Sequence, residues 1–229
     1  MKSFSTRRAF TAMLCALFLT GCGVVEAESQ VKPLPDAAVD VPAAGQTRQT
    51  AVFAGGCFWG VEAVFRSVNG VISATSGYAG GSAKTADYRS VGTGSTGHAE
   101  AVQVVFDPTK VTYAHLLKVL FAVAHDPTQL NRQGPDTGTQ YRSAIFTTSP
   151  DQERVAKAYI AQLKAAKVYS KPIVTQVTPL TIAAAFYPAE AYHQNYLALH
   201  PNEPYIVIND APKLVALKNT FPALYRKPI

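Results

Sequence analysis

The sequence predicts an α+β domain: a two-layer ferredoxin-like sandwich with a mixed sheet, helices on one side, and long irregular loops plus a C-terminal tail. Three observations lead there. The periodic segments follow the order β-α-β-β-α-β-α-β, which departs from strict βαβ alternation. The apolar runs switch between short strand-like stretches and faces with a helical repeat. The 229 residues are 48% hydrophobic and 16% charged, which suits one domain with a substantial core plus appendages. The formal net charge is +6, and Lys2, Arg7 and Arg8 carry half of it. The mild remainder forms no basic cluster, so no nucleic-acid partner is expected.

Residues 1–22 read as an export signal. Lys2, Arg7 and Arg8 form a positive start, and the apolar run Ala9 to Leu19 is too short to span a bilayer. It ends in Leu19-Thr20-Gly21-Cys22, which resembles a bacterial lipobox with Cys22 as the lipidated residue. Ordinary cleavage after Val25-Glu26-Ala27 is the alternative. Ser5-Thr6-Arg7-Arg8-Ala9-Phe10 also resembles a twin-arginine signal. Gly23 follows the cysteine, and no aspartate retention signal is present, which favours the outer membrane. Residues 23–49, rich in Ala, Val and Pro and without a repeat, read as a flexible tether. The domain proper is then expected over 50–229.

Within it, Ala51-Val52-Phe53-Ala54 reads as a buried strand and Val61 to Arg66 as a helix, with the turn Gly55-Gly56-Cys57 between them. Val71 to Thr75 is a second strand. Gly77 to Gly97 is glycine-rich and long enough to suggest a functional loop. Ala101 to Phe106 is a strand, stopped by Asp107-Pro108. Thr112 caps a helix whose apolar face is Tyr113, Leu116, Leu117, Leu120 and Ala124. After a polar loop, Asn131 to Arg142, come the strand Ser143 to Thr147 and a helix opened by Ser149-Pro150, with Val155, Tyr159, Leu163 and Ala166 inward. Ile173 to Val177 alternates as a strand. From Phe186 on the chain is aromatic and proline-rich, with weak periodicity.

Of the three cysteines, Cys15 and Cys22 lie in the leader and Cys57 in the domain. That allows neither a disulfide framework nor a cysteine-rich metal site, and no metal is expected. Cys57 stands where a strand turns into a helix. Unpaired N–H groups and the helix dipole there favour a thiolate, and Phe58 and Trp59 could wall an apolar pocket beside it. A hydrolase would need a base among His98, His125, His193 and His200. A thioredoxin-like Cys-x-x-Cys is absent, because Phe58-Trp59-Gly60 supplies no partner. A peroxidatic thiol and an inert buried cysteine stay open.

Several segments, in order, resemble the peptide methionine sulfoxide reductase A family. They are Gly56-Cys57-Phe58-Trp59-Gly60, Gly77-Tyr78-Ala79-Gly80-Gly81, Tyr88-Arg89-Ser90-Val91, Thr96 to Val102, His125-Asp126-Pro127, Gly138 to Ser143 and Ala189 to Leu197. The resemblance runs from about residue 51 into the low 200s. It implies that Cys57 attacks the sulfoxide sulfur and that Glu100 gives the proton its oxygen needs to leave. It implies that Tyr88 and Tyr141 hydrogen-bond that oxygen and that Asp136 helps hold water and substrate. It implies that Phe58 and Trp59 cage the S-methyl group, with His193 and Tyr196 close by. A partly desolvated Glu100 beside a thiolate should have a raised pKa and donate near neutrality.

The product on the protein would be a Cys57 sulfenic acid. Many members of that family resolve it with further cysteines, whereas no cysteine follows Cys57 here. The resemblance therefore implies a single-cysteine reductase of methionine S-sulfoxide, in proteins, peptides or free, with no cofactor. An external thiol, thioredoxin-like or other, would restore it. The expected setting is the bacterial cell envelope, with repair of oxidised envelope proteins, membrane contact only through an N-terminal lipid anchor, and a monomer. A thiol peroxidase and a non-catalytic binder of oxidised methionine are the alternatives.

Overall fold

A computed structural model describes Met1 and residues 33–182 and 184–227. The signal peptide, Cys22 and the first part of the tether, 23–32, lie outside the described residues. In chain order the elements are β1 (Gln49–Gly55), α1 (Phe58–Arg66), β2 (Val71–Ala79), α2 (Tyr88–Gly92), β3 (Ala99–Phe106) and α3 (Tyr113–Val119). A short ribbon follows, β4 (Arg132–Gln133) and β5 (Asp136–Thr137). Then come β6 (Ser143–Thr147), α4 (Pro150–Ala165), β7 (Gln176–Pro179), β8 (Phe186–Pro188), α5 (Tyr196–Leu199) and α6 (Ala211–Thr220).

Among the described residues a six-stranded sheet runs β7-β6-β1-β3-β2-β8. Its centre, β6-β1-β3-β2, is antiparallel throughout and has the ferredoxin-like order. β7 extends it in parallel with β6, across the α4 crossover, which makes the sheet mixed. Strand residues alternate between two buried faces. Ala51, Phe53, Val102, Val104 and Ile145 pack into the main core with Val64, Leu116, Leu117, Tyr159 and Leu163 of the helices. Val52, Ala54, Ala99, Ala101, Ala144 and Phe146 form a thinner layer on the other side, covered by Leu180 and Phe186. Burial on both faces is why β1 reads as an unbroken apolar run.

The expected caps are present. Thr112 accepts from the N–H of His115 and Ser149 from that of Gln152. The helix expected through Ala124 narrows to α3 and widens into a π-turn, Leu120–Ala124. The glycine-rich loop is shorter than expected, because β2 runs on to Ala79 and α2 lies inside the loop. The tail is more ordered than its period suggests. It adds β8 to the sheet edge and brings α6 against α1.

The tether expectation needs correcting from Leu34 onward. Leu34 is buried in the main core. Tyr159 donates to the carbonyl of Pro35, Lys118 pairs with Asp36, Gln162 bonds the backbone of Asp36 and Ala38, and Asp40 accepts from the N–H of Ala114. The strap is extended and carries no repeat, so its anchoring rests on single side chains that periodicity does not register. Leu34→Ala should cost about 2 kcal/mol in a denaturant titration. No change in the midpoint would mean that the strap contributes nothing.

Candidate active site

The site is built on the junction between β1 and α1. Gly56 has φ +89°, and a Cβ there would stand 2.4 Å from the side chain of Gln133. Only glycine turns the chain so sharply at that point. Gly56→Ala should therefore displace Cys57 and lose about 1–3 kcal/mol of stability, read by thermal melting. Cys57 is the N-terminal cap of α1, is 8% exposed, and is the free cysteine among the described residues. Its thiol is pushed well above the usual value by burial, with the charges of Glu100 and Asp210 adding to the effect. The Trp59 N–H and Lys213 pull the other way. The resting thiolate expected from the helix dipole is thus corrected: desolvation and neighbouring carboxylates outweigh the dipole of a nine-residue helix.

Glu100, at the start of β3 and paired across the sheet with Tyr78, points into the same place. It is 3% exposed, and its Oε2 accepts from the N–H of Phe58 at 3.0 Å. Burial raises its pKa to about 8, with Asp136 and Asp210 adding to the shift, so the carboxyl is protonated at neutral pH.

The tyrosines arrive from two loops. Tyr88 opens α2, which Asp87 caps by accepting from the N–H of Ser90. The backbone N–H of Tyr88 donates to Glu190, whose other oxygen takes the hydroxyl of Tyr78. Tyr141 ends a short turn before β6. The phenols of Tyr88 and Tyr141 are both raised by burial first and by the charges of Glu100, Asp136 and Cys57 next, so they remain hydrogen-bond donors. Asp136, on β5, accepts from the hydroxyl of Tyr205.

The structure separates the two expected aromatic walls. Phe58 is 1% exposed and packs on Tyr78 and His193, so its ring belongs to the core and it offers the site its N–H. Trp59 stays half-exposed. It stacks on Tyr196 at 3.8 Å, meets the edge of Tyr205, and donates its indole N–H to Nδ1 of His193 at 3.1 Å. Burial lowers the pKa of His193, and its ring also meets that of Tyr88 at 4.4 Å. The hydroxyl of Tyr196 is turned to Glu203.

Two of the other histidines are structural. His98 bonds the backbone of Gly81 and Ser82, and His125 the carbonyl of Leu120 and the hydroxyl of Ser143. Burial holds the pKa of His125 down, to about 4. Among the described residues no group of three or more His, Cys, Asp or Glu could hold a metal ion, and no helix is long and apolar enough to cross a membrane.

Sequence reasoning missed Glu62, Glu190, Tyr205, Asp210 and Lys213. Glu62 is buried in α1, where its carboxylate takes the hydroxyl of Ser76 and the N–H of Asn195. Gln194 adds two-way bonds with the backbone of Ser76. These contacts fix the segment that carries Glu190 and His193. A lone glutamate among apolar helix residues was the available clue.

The assembled groups are a buried thiol, a neutral carboxyl, phenol donors and a half-buried indole. Such a site can deliver a sulfur nucleophile and a proton to one polar, methyl-bearing group. The family model described as peptide methionine sulfoxide reductase matches residues 49–224. The chain is 58% identical to peptide methionine sulfoxide reductase MsrA 2 of Mesorhizobium japonicum over 182 residues, 79% of this chain and 92% of that one. It is 50% identical to a protein of the same name from a Synechocystis species over 186 residues, 80% and 86% of the two chains. Among solved structures it is similar to methionine sulfoxide reductase A of Corynebacterium diphtheriae, at 40% identity and TM-score 0.58 over 74% of this chain and 82% of the other. It is also similar to reduced Mxr1 of Saccharomyces cerevisiae, at 32% identity and TM-score 0.62 over 72% and 90%.

Proposed function

The chain belongs to the peptide methionine sulfoxide reductase family, and on that premise we propose that it reduces methionine S-sulfoxide with Cys57 as nucleophile and Glu100 as proton donor. The observation that carries the assignment is the buried Glu100, held beside Cys57 by the N–H of Phe58 at 3.0 Å. Cys57 Sγ attacks the sulfoxide sulfur while Glu100 protonates the oxygen, which is a poor leaving group until it gains that proton. The hydroxyls of Tyr88 and Tyr141 bond the same oxygen. The half-exposed Trp59 receives the methyl group, since methyl on sulfur favours an aromatic face. Asp136, tied to Tyr205, orders the polar rim. The substrate S–O bond and the new Sγ–S bond then break as the protonated oxygen passes to Sγ, and the thiol's own proton replaces the one Glu100 gave. Cys57 becomes a sulfenic acid, oxidised by two electrons, and the thioether departs reduced.

A first external thiol then forms a mixed disulfide with Cys57 and releases water; a second releases the Cys57 thiol and a disulfide. No cysteine follows Cys57 in the sequence, which supports an outside donor of the thioredoxin-like class. The leader and its Cys22 motif support export and lipid anchoring in the cell envelope, with oxidised envelope proteins as substrates.

The test uses the full chain and a peptide holding methionine S-sulfoxide. Without reductant, one equivalent of methionine should appear per Cys57, with one oxygen added to the Cys57 peptide by mass. With dithiothreitol, turnover should continue, and the R epimer should stay untouched. Absence of methionine release would overturn the reading. Sulfenate formation from peroxide alone would indicate a peroxidase.

A further inference from the structure

A charge pair that the proposed reaction does not use lies against the first turn of α1. Asp210 ends a π-turn, Ile206–Asp210, and Lys213 sits in the first turn of α6. Lys213 Nζ donates to Asp210 Oδ1 at 2.9 Å, and the two side chains are 16% and 0% exposed. A Cβ on Gly60 would stand 2.1 Å from Asp210 Oδ1 and 2.8 Å from Lys213 Nζ. The pair therefore occupies the space where a side chain at Gly60 would project, three residues after Cys57.

The pair does not serve as a helix cap. Asp210 makes no side-chain cap bond to α6, and its Oδ2 is buried without a hydrogen-bond partner. A water-stripped ion pair with an unsatisfied oxygen is a poor source of stability, and apolar side chains of similar volume often serve a core better. A buried, specifically paired charge beside a nucleophile is placed to tune it.

The other groups that face Cys57 are Glu100 from β3, Tyr88 from α2, Tyr141 before β6, Tyr196 from α5, and Tyr205. Asp136 faces Glu100 and Asp210. Glu100 and the phenols are protonated at neutral pH. At neutral pH the formal charges acting on the sulfur are then those of Asp210 and Lys213, which oppose each other, and Glu100 joins Asp210 above about pH 8.

We propose that Asp210 and Lys213 are a positioning pair that sets how readily Cys57 ionises, Lys213 favouring the thiolate and Asp210 the thiol. This rests on Cys57 being the nucleophile. Burial keeps the thiol protonated at rest with Asp210 adding to it, which protects it from stray oxidants, and Lys213 leaves a cation near the sulfur when substrate draws the proton away.

Iodoacetamide alkylation of the full chain, followed at the Cys57 peptide from about pH 7 to 12 so that a raised midpoint falls inside the range, tests it without using sulfoxide. Asp210→Asn should lower the alkylation midpoint by about one unit and speed alkylation at pH 7 about tenfold. Lys213→Met should raise the midpoint by a similar amount, Lys213→Arg should hold it, and the double variant Asp210→Asn with Lys213→Met should return toward the original. A purely structural pair would move both single variants the same way or neither, and either result overturns the proposal. If Lys213→Met does not fold, the nearly isosteric Asp210→Asn decides alone, an unmoved or raised midpoint being the overturning result. A chain inactive on sulfoxide can still show these shifts, and an active reductase with unmoved midpoints sinks the pair and leaves the reductase reading standing.

Discussion

Glu100→Gln should slow single-turnover methionine formation by about 10²–10⁴-fold at pH 7, the range typical for loss of a positioned acid. Cys57, whose thiol is held well above its usual value, ionises after Glu100, so the rate of the original enzyme should climb with pH only to about 8, where Glu100 gives up its proton, and flatten there. The fall comes only once Cys57 is fully ionised and the loss of the Glu100 proton acts alone, so the two groups together make a broad, flat-topped bell. In the glutamine variant the descending limb should vanish and the residual rate should only rise with pH. A variant that kept the bell would assign the acid role to another group.

The same residue makes a stability prediction. The folded carboxyl is raised from 4.5 to about 8, so between those values the folded protein holds a proton that the unfolded chain releases. Stability therefore falls as pH rises across that window and levels off above it. At about 1.4 kcal/mol per unit, the carboxyl costs on the order of 4 kcal/mol at pH 8 and nothing below the unfolded pKa. Glutamine has no such proton to hold. The variant should melt higher than the original at pH 8, with the gap closing toward pH 4. Loss of rate together with gain of stability would mark Glu100 as a group retained for chemistry at the fold's expense.

The elements that were legible in the sequence share a property: their signal is local and repeated. Strand β1 reads as apolar because both faces are covered, and α3 and α4 show helical faces with hydroxyl caps. Glu100 was found through the resemblance of its segment, since one carboxylate at a strand start says nothing of its burial. The strap at Leu34 and the tail were harder because each is held by single long-range bonds. Asn195 hangs on Glu62 and Gln194 on Ser76, more than a hundred residues away. Asp210-Ala211-Pro212 does carry a helix-start pattern, with proline in the first turn. Val215, which is exposed, breaks the apolar repeat that would have extended it. Phe58 and Trp59 are adjacent and equally apolar, and only the packing of His193 and Tyr78 decides which ring stays accessible.

Cys57→Ser should abolish methionine formation altogether, because Cys57 supplies the electrons as well as the attack. Reduction of a sulfoxide removes two electrons from the nucleophile. A thiol can lose them and become a sulfenic acid; a serine hydroxyl has no comparable oxidised state to enter. The remaining site, with Glu100 protonated and Trp59 half-buried, can still bind the sulfoxide and polarise its oxygen, so affinity for a sulfoxide peptide should largely persist. The hydroxyl would be buried at a site only 8% exposed, at a cost of about 1–3 kcal/mol if it finds no partner. Peptide binding and thermal melting of the variant therefore belong beside the rate, so that an unfolded protein is not mistaken for an inactive one. Measurable turnover by a folded serine variant would show that the electrons come from elsewhere. Residues 58–229 hold no cysteine to provide them, so one methionine per molecule is the yield expected of the original enzyme until a thiol is added.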